Sequence, residues 1–139
     1  MRGEERGSVT IWMLGLSLLL LLFGGLALDF WRGLAVQREL AAAADSAAIA
    51  AASGIDEEHY RATGEIVLDG TRSRSLALTS VDLQDIDLTS FASTTSSDGT
   101  RVTVILVAEL DLGLLGVFVE DSNPLTVRAT ATAFPRIVP

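Results

Sequence analysis

The chain has 139 residues, 49% of them hydrophobic, with ten basic and eighteen acidic side chains for a net charge of −8. That composition excludes a disordered chain, which would be poor in large apolar residues. All ten bases are Arg and there is no Cys, so disulfides, Cys-ligated zinc and Cys nucleophiles are excluded. Residues 53–139 hold six Arg against thirteen acids; no basic patch is available to neutralise phosphates, which excludes nucleic acid as a partner.

The apolar residues are unevenly placed. Val9 to Leu28 is a run of twenty residues without a charge. In a helix it extends about 30 Å, the thickness of a bilayer's hydrocarbon core. Trp12 and Trp31 bracket the run and are expected to anchor it at the two interfaces, as belt aromatics do. A cleavable secretory signal is the rival reading. It needs a shorter apolar region and small residues at the cut, whereas this run ends Leu-Ala-Leu-Asp-Phe-Trp. Arg2 and Arg6 on one side and Arg32 and Arg38 on the other leave orientation nearly undecided by charge. A short tail before the first helix, with an acidic domain behind it, favours a cytoplasmic N-terminus.

Beyond Trp31 the chain continues RGLAVQRELAAAADSAAIAAASG. These are strong helix formers, and no Pro interrupts Val9 to Ser53, so one continuous helix is expected, with Gly54 as its C-cap. Val36, Leu40, Ala43, Ala47 and Ala51 recur at helical spacing on one side, while Arg38, Glu39 and Asp45 lie on the other. An Ala-rich face cannot be buried by a lone helix in water; it calls for a surface to pack on.

Residues 55–84 are mixed. Asp56-Glu57-Glu58 opens a short helical turn, Glu65 to Leu68 reads as an extended piece, and Asp69 caps a helix over about 70–84 with Leu76, Leu78, Val81 and Leu83 partly periodic. From Ile86 the period changes to two. Ile86 to Phe91 alternates, Asp98-Gly99 is a turn signal, and Arg101 to Asp111 is the clearest strand. In that strand Val102, Val104, Leu106, Ala108 and Leu110 share one face. Leu112 to Val119 is an apolar connection. After Pro124 a third strand, Leu125 to Phe134, alternates Val127, Ala129, Ala131 and Ala133 with Thr126, Arg128, Thr130 and Thr132.

These elements imply an α+β fold class: a single-pass membrane protein whose long N-terminal helix packs on a small antiparallel sheet. Its expected divisions are a cytoplasmic tail (1–8), a transmembrane helix (9–28), a helical extension (29–53) and an extracytoplasmic α+β domain (54–139).

The stretch from Glu5 to Gly54 resembles the N-terminal region of TadE/TadG-like proteins of Flp (tight-adherence) pilus systems. The resemblance rests on Arg6-Gly7 before the apolar helix, Asp29 and Arg32 after it, and Ala43-Ala44-Asp45 in the Ala-rich run. It implies a pilin-like protein of the bacterial cell membrane with its bulk outside the cytoplasm, whose partners are the lipid bilayer and other pilus-assembly membrane proteins. Prepilins carry Gly before the cut and Glu at the fifth position after it. Here a cut at Gly7 puts Trp12 in that position, and a cut at Gly3 puts Ser8 there. A TadG-like accessory component that keeps its anchor is the better fit.

No catalytic constellation accompanies these features. His59 is the only His and reads as a solvated loop residue; a triad would need a nucleophile and an orienting carboxylate around it. Asp82, Asp85 and Asp87 lack the Gly and distal Glu of a calcium loop, and Glu120 to Asn123 reads as an exposed turn. No phosphate loop or dinucleotide fingerprint occurs. The expectation is a non-enzyme without cofactor, metal or small-molecule substrate. Asp29 and Arg32, three apart at the edge of the span, form a helix-surface ion pair or a contact between subunits. A membrane-tethered binding module unrelated to pili is the alternative function.

Overall fold

The structure, a computed structural model, describes residues 5–110, 113 and 124–136, with side chains from residue 9 onward. Three helices precede three strands: α1 (Glu5–Ala52), α2 (Glu57–Thr63), α3 (Gly70–Asp82), β1 (Ser90–Thr95), β2 (Val102–Leu110) and β3 (Leu125–Ala133). The helix α1 has 48 residues, so it is about 70 Å long. It runs unbroken through Gly24 and Gly25, as a span without Pro can.

The strands form one antiparallel sheet in the order β1-β2-β3. Alternation sets its register. Val102, Val104, Leu106 and Ala108 of β2 are buried while the residues between them are not. Across the ladder Val104 pairs with Ala131 and Leu106 with Ala129, so large residues on the central strand face small ones on β3. The outer half of α1 lies on β2 and β3, and α3 lies beside it against α1 and β1. The core is the layer between: Leu40 and the Ala residues of α1, Ala77 and Val81 of α3, and the inward residues of β2 and β3.

Local chemistry fixes the connections. Asp56 caps α2 by accepting from the His59 amide at 2.9 Å. Gly64 ends the same helix in the left-handed region, φ 76°, with its amide donating to the Tyr60 carbonyl. Asp69 caps α3 by accepting from Thr71 N at 2.8 Å and Arg72 N at 3.3 Å. The turn between β1 and β2 is built around Asp98, which accepts from the Ser96 hydroxyl and, at 3.2 Å, from the Thr100 amide. These bonds stabilise the carboxylate and lower its pKa from 3.8 to about 2.

Several expectations shift. The first strand begins at Ser90, because the chain reverses through Leu83–Asp85, with Asp85 at φ 50°; Ile86 and Leu88 instead pack on the core from outside any strand. Glu65 to Leu68 makes no strand; Leu68 contributes one isolated bridge to Ile55, and its amide donates to the Gly99 carbonyl at 2.9 Å. Helix α3 buries Ser73, Ala77 and Val81 at four-residue spacing and leaves Leu78 and Leu83 exposed, because α1 already fills the neighbouring space and admits only small side chains. Gly54 ends α1 with an ordinary φ and not as a left-handed cap. It is there for close approach: a Cβ would lie 2.7 Å from both the amide nitrogen and Oγ of Ser73. The connection Leu112–Val119, Gly113 apart, and the turn Glu120–Asn123 lie outside the described residues.

Gly99 has φ 64°, and a Cβ there would fall 2.2 Å from Val67 Cγ1. Gly99→Ala combines left-handed strain with overpacking and should destabilise the domain by about 1–3 kcal/mol, read as a lowered melting temperature. The turn also predicts an acid response. A carboxyl whose pKa is depressed on folding contributes stability that is complete above its unfolded value of 3.8 and is lost as pH falls through about 2. An NMR titration should place the Asp98 midpoint near that lower value, and Ser96→Ala should move it up toward 3.8.

Candidate membrane and packing interface

One helix has two differently covered halves, and the change between them falls near Asp29. Below it the large apolar side chains are bare: Ile11, Leu14, Leu18, Leu21 and Phe23 are all exposed. The most apolar 18-residue window of α1 is 0% buried by the rest of the chain. A soluble core helix is covered by its own protein; this one is long and apolar enough to cross a bilayer and offers its whole circumference to it. Trp12 is 78% and Trp31 66% exposed, nineteen residues and so about 28 Å apart along the axis. That separation matches the two interfaces of a hydrocarbon layer.

Above Asp29 the same helix is covered on one side. Leu40, Ala43, Ala47 and Ala51 are fully buried, and Val36 is half-buried at the margin of the sheet. The expected set, spaced i, i+4, i+7, i+11, i+15, is only part of this face: Ala44, Ala48 and Ala52 continue the row begun by Val36 and Leu40 and are buried as well. The doublets at 43–44, 47–48 and 51–52 carry that signal in the sequence, and a stripe two residues wide is what a helix needs when it packs on both a sheet and another helix. Alanine suits the task because it lets the backbones approach closely, with Ala129 and Ala131 equally small on β3. Arg38, Glu39 and Asp45 stay exposed on the far side, together with Ile49 at 69%.

The Asp29 side chain does not lie open on the helix surface; it is 6% exposed. It turns toward Gly113, where a Cβ would stand 2.7 Å from Asp29 Oδ1 and 3.7 Å from Arg32 Nη1. Arg32 itself is exposed. One turn further on, a Cβ at Gly33 would be 3.3 Å from Leu110 Cδ2. The domain therefore reaches down α1 to the first residues after the apolar run. No sequence pattern announces this, because it depends on where β2 ends relative to the helix.

The remaining candidates are surface features. His59 sits in α2, not in a loop, with Nε2 3.8 Å from Glu65 Oε2, beyond hydrogen-bonding distance. Glu57 pairs with Arg61 and Arg72 at 3.0 Å each, exposed contacts worth little to stability. Asp82, Asp85 and Asp87 are exposed around the end of α3. Among the described residues no group of three or more His, Cys, Asp or Glu could hold a metal ion. The geometry offers an apolar rod, a tightly packed small domain and a junction between them.

Ala47→Glu places a carboxylate in the covered face, against a cluster of buried apolar side chains. Burial of an unpaired charge costs several kcal/mol. The expected outcome is rapid proteolysis of residues 54–139 with the membrane helix still inserted, measured by limited digestion of vesicle-bound protein. Digestion at the parent rate would contradict the packing.

Residues 7–54 match the model of Tad, the Flp pilus-assembly TadE/G-like family. No curated protein and no solved structure matches the chain. The matched segment ends two residues past α1, so it covers the bare apolar half of the helix, the junction at Asp29 and the whole alanine face. From Gly7 to the close approach at Gly54, the chain is similar to the TadE/G-like family of Flp pilus assembly.

Proposed function

We propose that this protein is a membrane-anchored, pilin-like accessory component of a Tad/Flp-type pilus or a related secretion assembly. Residues 1–8 lie in the cytoplasm, 9–28 cross the membrane, and 29–53 carry the helix outward to an extracytoplasmic domain at 54–139. The observation that carries the reading is the division of α1: uncovered over its apolar half, covered over its alanine half, within one TadE/G-like segment. Such a rod delivers a folded domain to one membrane surface and leaves the span free to contact its neighbours.

Two surfaces support association through the helix. Gly15 lies eighteen residues before Gly33, five full turns, so it continues the domain-bearing face into the span. There it opens a notch between Ile11, Trp12, Leu16 and Leu19, with nothing within 4 Å of a Cβ. A neighbouring span would fill it by van der Waals packing, the force that joins helices in lipid. At the far end, Ile49 and Phe134 are both exposed beside a shallow groove with Thr132 and Arg136, apolar surface that a second pilin-like protein would cover. Trp12 and Trp31 hold the depth of the rod, and Asp29 and Arg32 mark the level at which neighbouring subunits would meet.

Deletion of the gene should abolish or sharply reduce surface pili, with restoration by the parent sequence. Gly15→Ile, which fills the notch, should insert normally yet lose co-purification with the other pilus-assembly membrane proteins. Normal piliation after deletion would overturn the assembly role and leave a tethered binding module. Protease added to spheroplasts should remove residues 54–139; their protection would reverse the orientation.

A further inference from the structure

The side of α1 turned away from the sheet is bare. Trp31, Ala35, Arg38, Ala42, Asp45 and Ile49 follow one another at alternating steps of four and three residues, so they fall on one line along the helix. All six are exposed, Trp31 at 66% and Ile49 at 69%. A helix face that meets only water is polar along its length; this line is apolar but for one base and one acid. The residues three and four away from Arg38 are Leu34, Ala35, Ala41 and Ala42, and those around Asp45 are Ala41, Ala42, Ala48 and Ile49. Neither charge therefore has a partner on its own helix. They stand about 10 Å apart along the axis, and the ion pairs found among the described residues involve neither. Just below Arg38 a small notch opens between Trp31, Leu34 and Ala35.

We propose that this line docks a parallel helix of a different membrane-anchored chain, one that carries an acid level with Arg38 and a base level with Asp45. The inference rests on the membrane-spanning reading of residues 9–28, which sets the depth and direction of α1. Alternating four-three spacing is the seam of a parallel two-helix contact, in which each residue of the line enters a gap on the facing helix. A second copy fails there on charge or on depth. In register it sets Arg38 against Arg38 and Asp45 against Asp45, two like-charge contacts. Shifted by seven residues it pairs Arg38 with Asp45, but one span then rises by about 10 Å, about a third of the hydrocarbon thickness. That rise pulls Trp12 and Trp31 of the lifted copy away from the interfaces. A chain with the reverse order of charges meets neither obstacle. The two charges fix its register and reject self-pairing, while the apolar residues between them supply the contact.

The test uses the full-length chain in phosphatidylcholine vesicles. The chain has no Cys, so Ala42→Cys reports on the seam alone; facing positions of a parallel pair lie within disulfide reach. The probe partner is the same chain with Arg38→Glu and Asp45→Arg, which has the required order of charges and an unchanged net charge. Parent and probe, each with Ala42→Cys, are mixed in equal amounts and oxidised. At low salt mixed pairs should outnumber parent–parent pairs by about ten-fold, against about two-fold by chance. The excess should vanish at about 1 M salt, where the screening length is about 3 Å. Chance proportions at low salt overturn the proposal. So does a cross-link between Ala42→Cys and Ile49→Cys parent chains, which would make a staggered second copy the occupant. Ala35→Cys repeats the reading should Ala42→Cys misfold. In the native membrane the Arg38→Glu/Asp45→Arg chain should insert and resist protease as the parent does, yet lose the membrane proteins that co-purify with it; unchanged co-purification overturns the docking. Failure of the span itself reads differently: the indoles of Trp12 and Trp31 would then escape quenching by brominated lipid in the same vesicles.

Discussion

One helix must satisfy two solvents, and every other feature of this protein depends on how it does so. In lipid the constraint is backbone satisfaction and an apolar circumference, which an uninterrupted helix of Leu, Val, Ile and Phe meets without any partner. In water the same backbone needs one covered face, or a long Ala-rich helix gains nothing from its burial. The chain changes composition close to Asp29, and the helix runs through without a break. Rigidity across that boundary ties the domain's position to the membrane.

The alanine face sets the terms for the rest of the domain. Small side chains bring the neighbouring backbones close, so the residues that pack there must be small as well. Ala129 and Ala131 answer from β3 and Ser73 and Ala77 from α3, while the larger Leu40, Val104 and Leu106 fill the remaining space. Gly54 belongs to the same economy of space, being bare because Ser73 stands where its Cβ would go. A core built this way is dense but thin. Fewer than ninety residues lie beyond α1, a size at which independent folding is marginal. Supplying one wall of that core from the membrane helix makes anchor and domain a single folding unit.

A TadE/G-like match confined to residues 7–54 fits this division of labour. The matched part is the rod, with its span, junction and packing face. The C-terminal part of the chain need only offer a complementary face to the alanines, and many sequences meet that requirement. The outward face of the sheet, with Thr103 bonded to Thr132 across the ladder at 3.2 Å, is free to differ without disturbing the join.

The sequence by itself determined the elements whose cause is local. Twenty uncharged residues give an uncovered apolar helix long enough to cross a bilayer, alternation from Val102 to Leu110 gives a half-buried strand, and Asp56 and Asp69 start helices because a carboxylate placed before free amides caps them. It also marked the alanine face, since burial on a helix leaves a periodic trace, which Ala44, Ala48 and Ala52 complete. Tertiary structure alone decided the rest. No local pattern shows that Ile86 and Leu88 pack outside a strand, that α3 buries Ser73 in preference to Leu78, or that Asp29 is covered. Each depends on which distant segment arrives at that place: the end of β2 at Asp29 and Gly33, and α1 already filling the space beside α3. Local chemistry chooses an element, but the space left by its neighbours chooses which of its residues are inside.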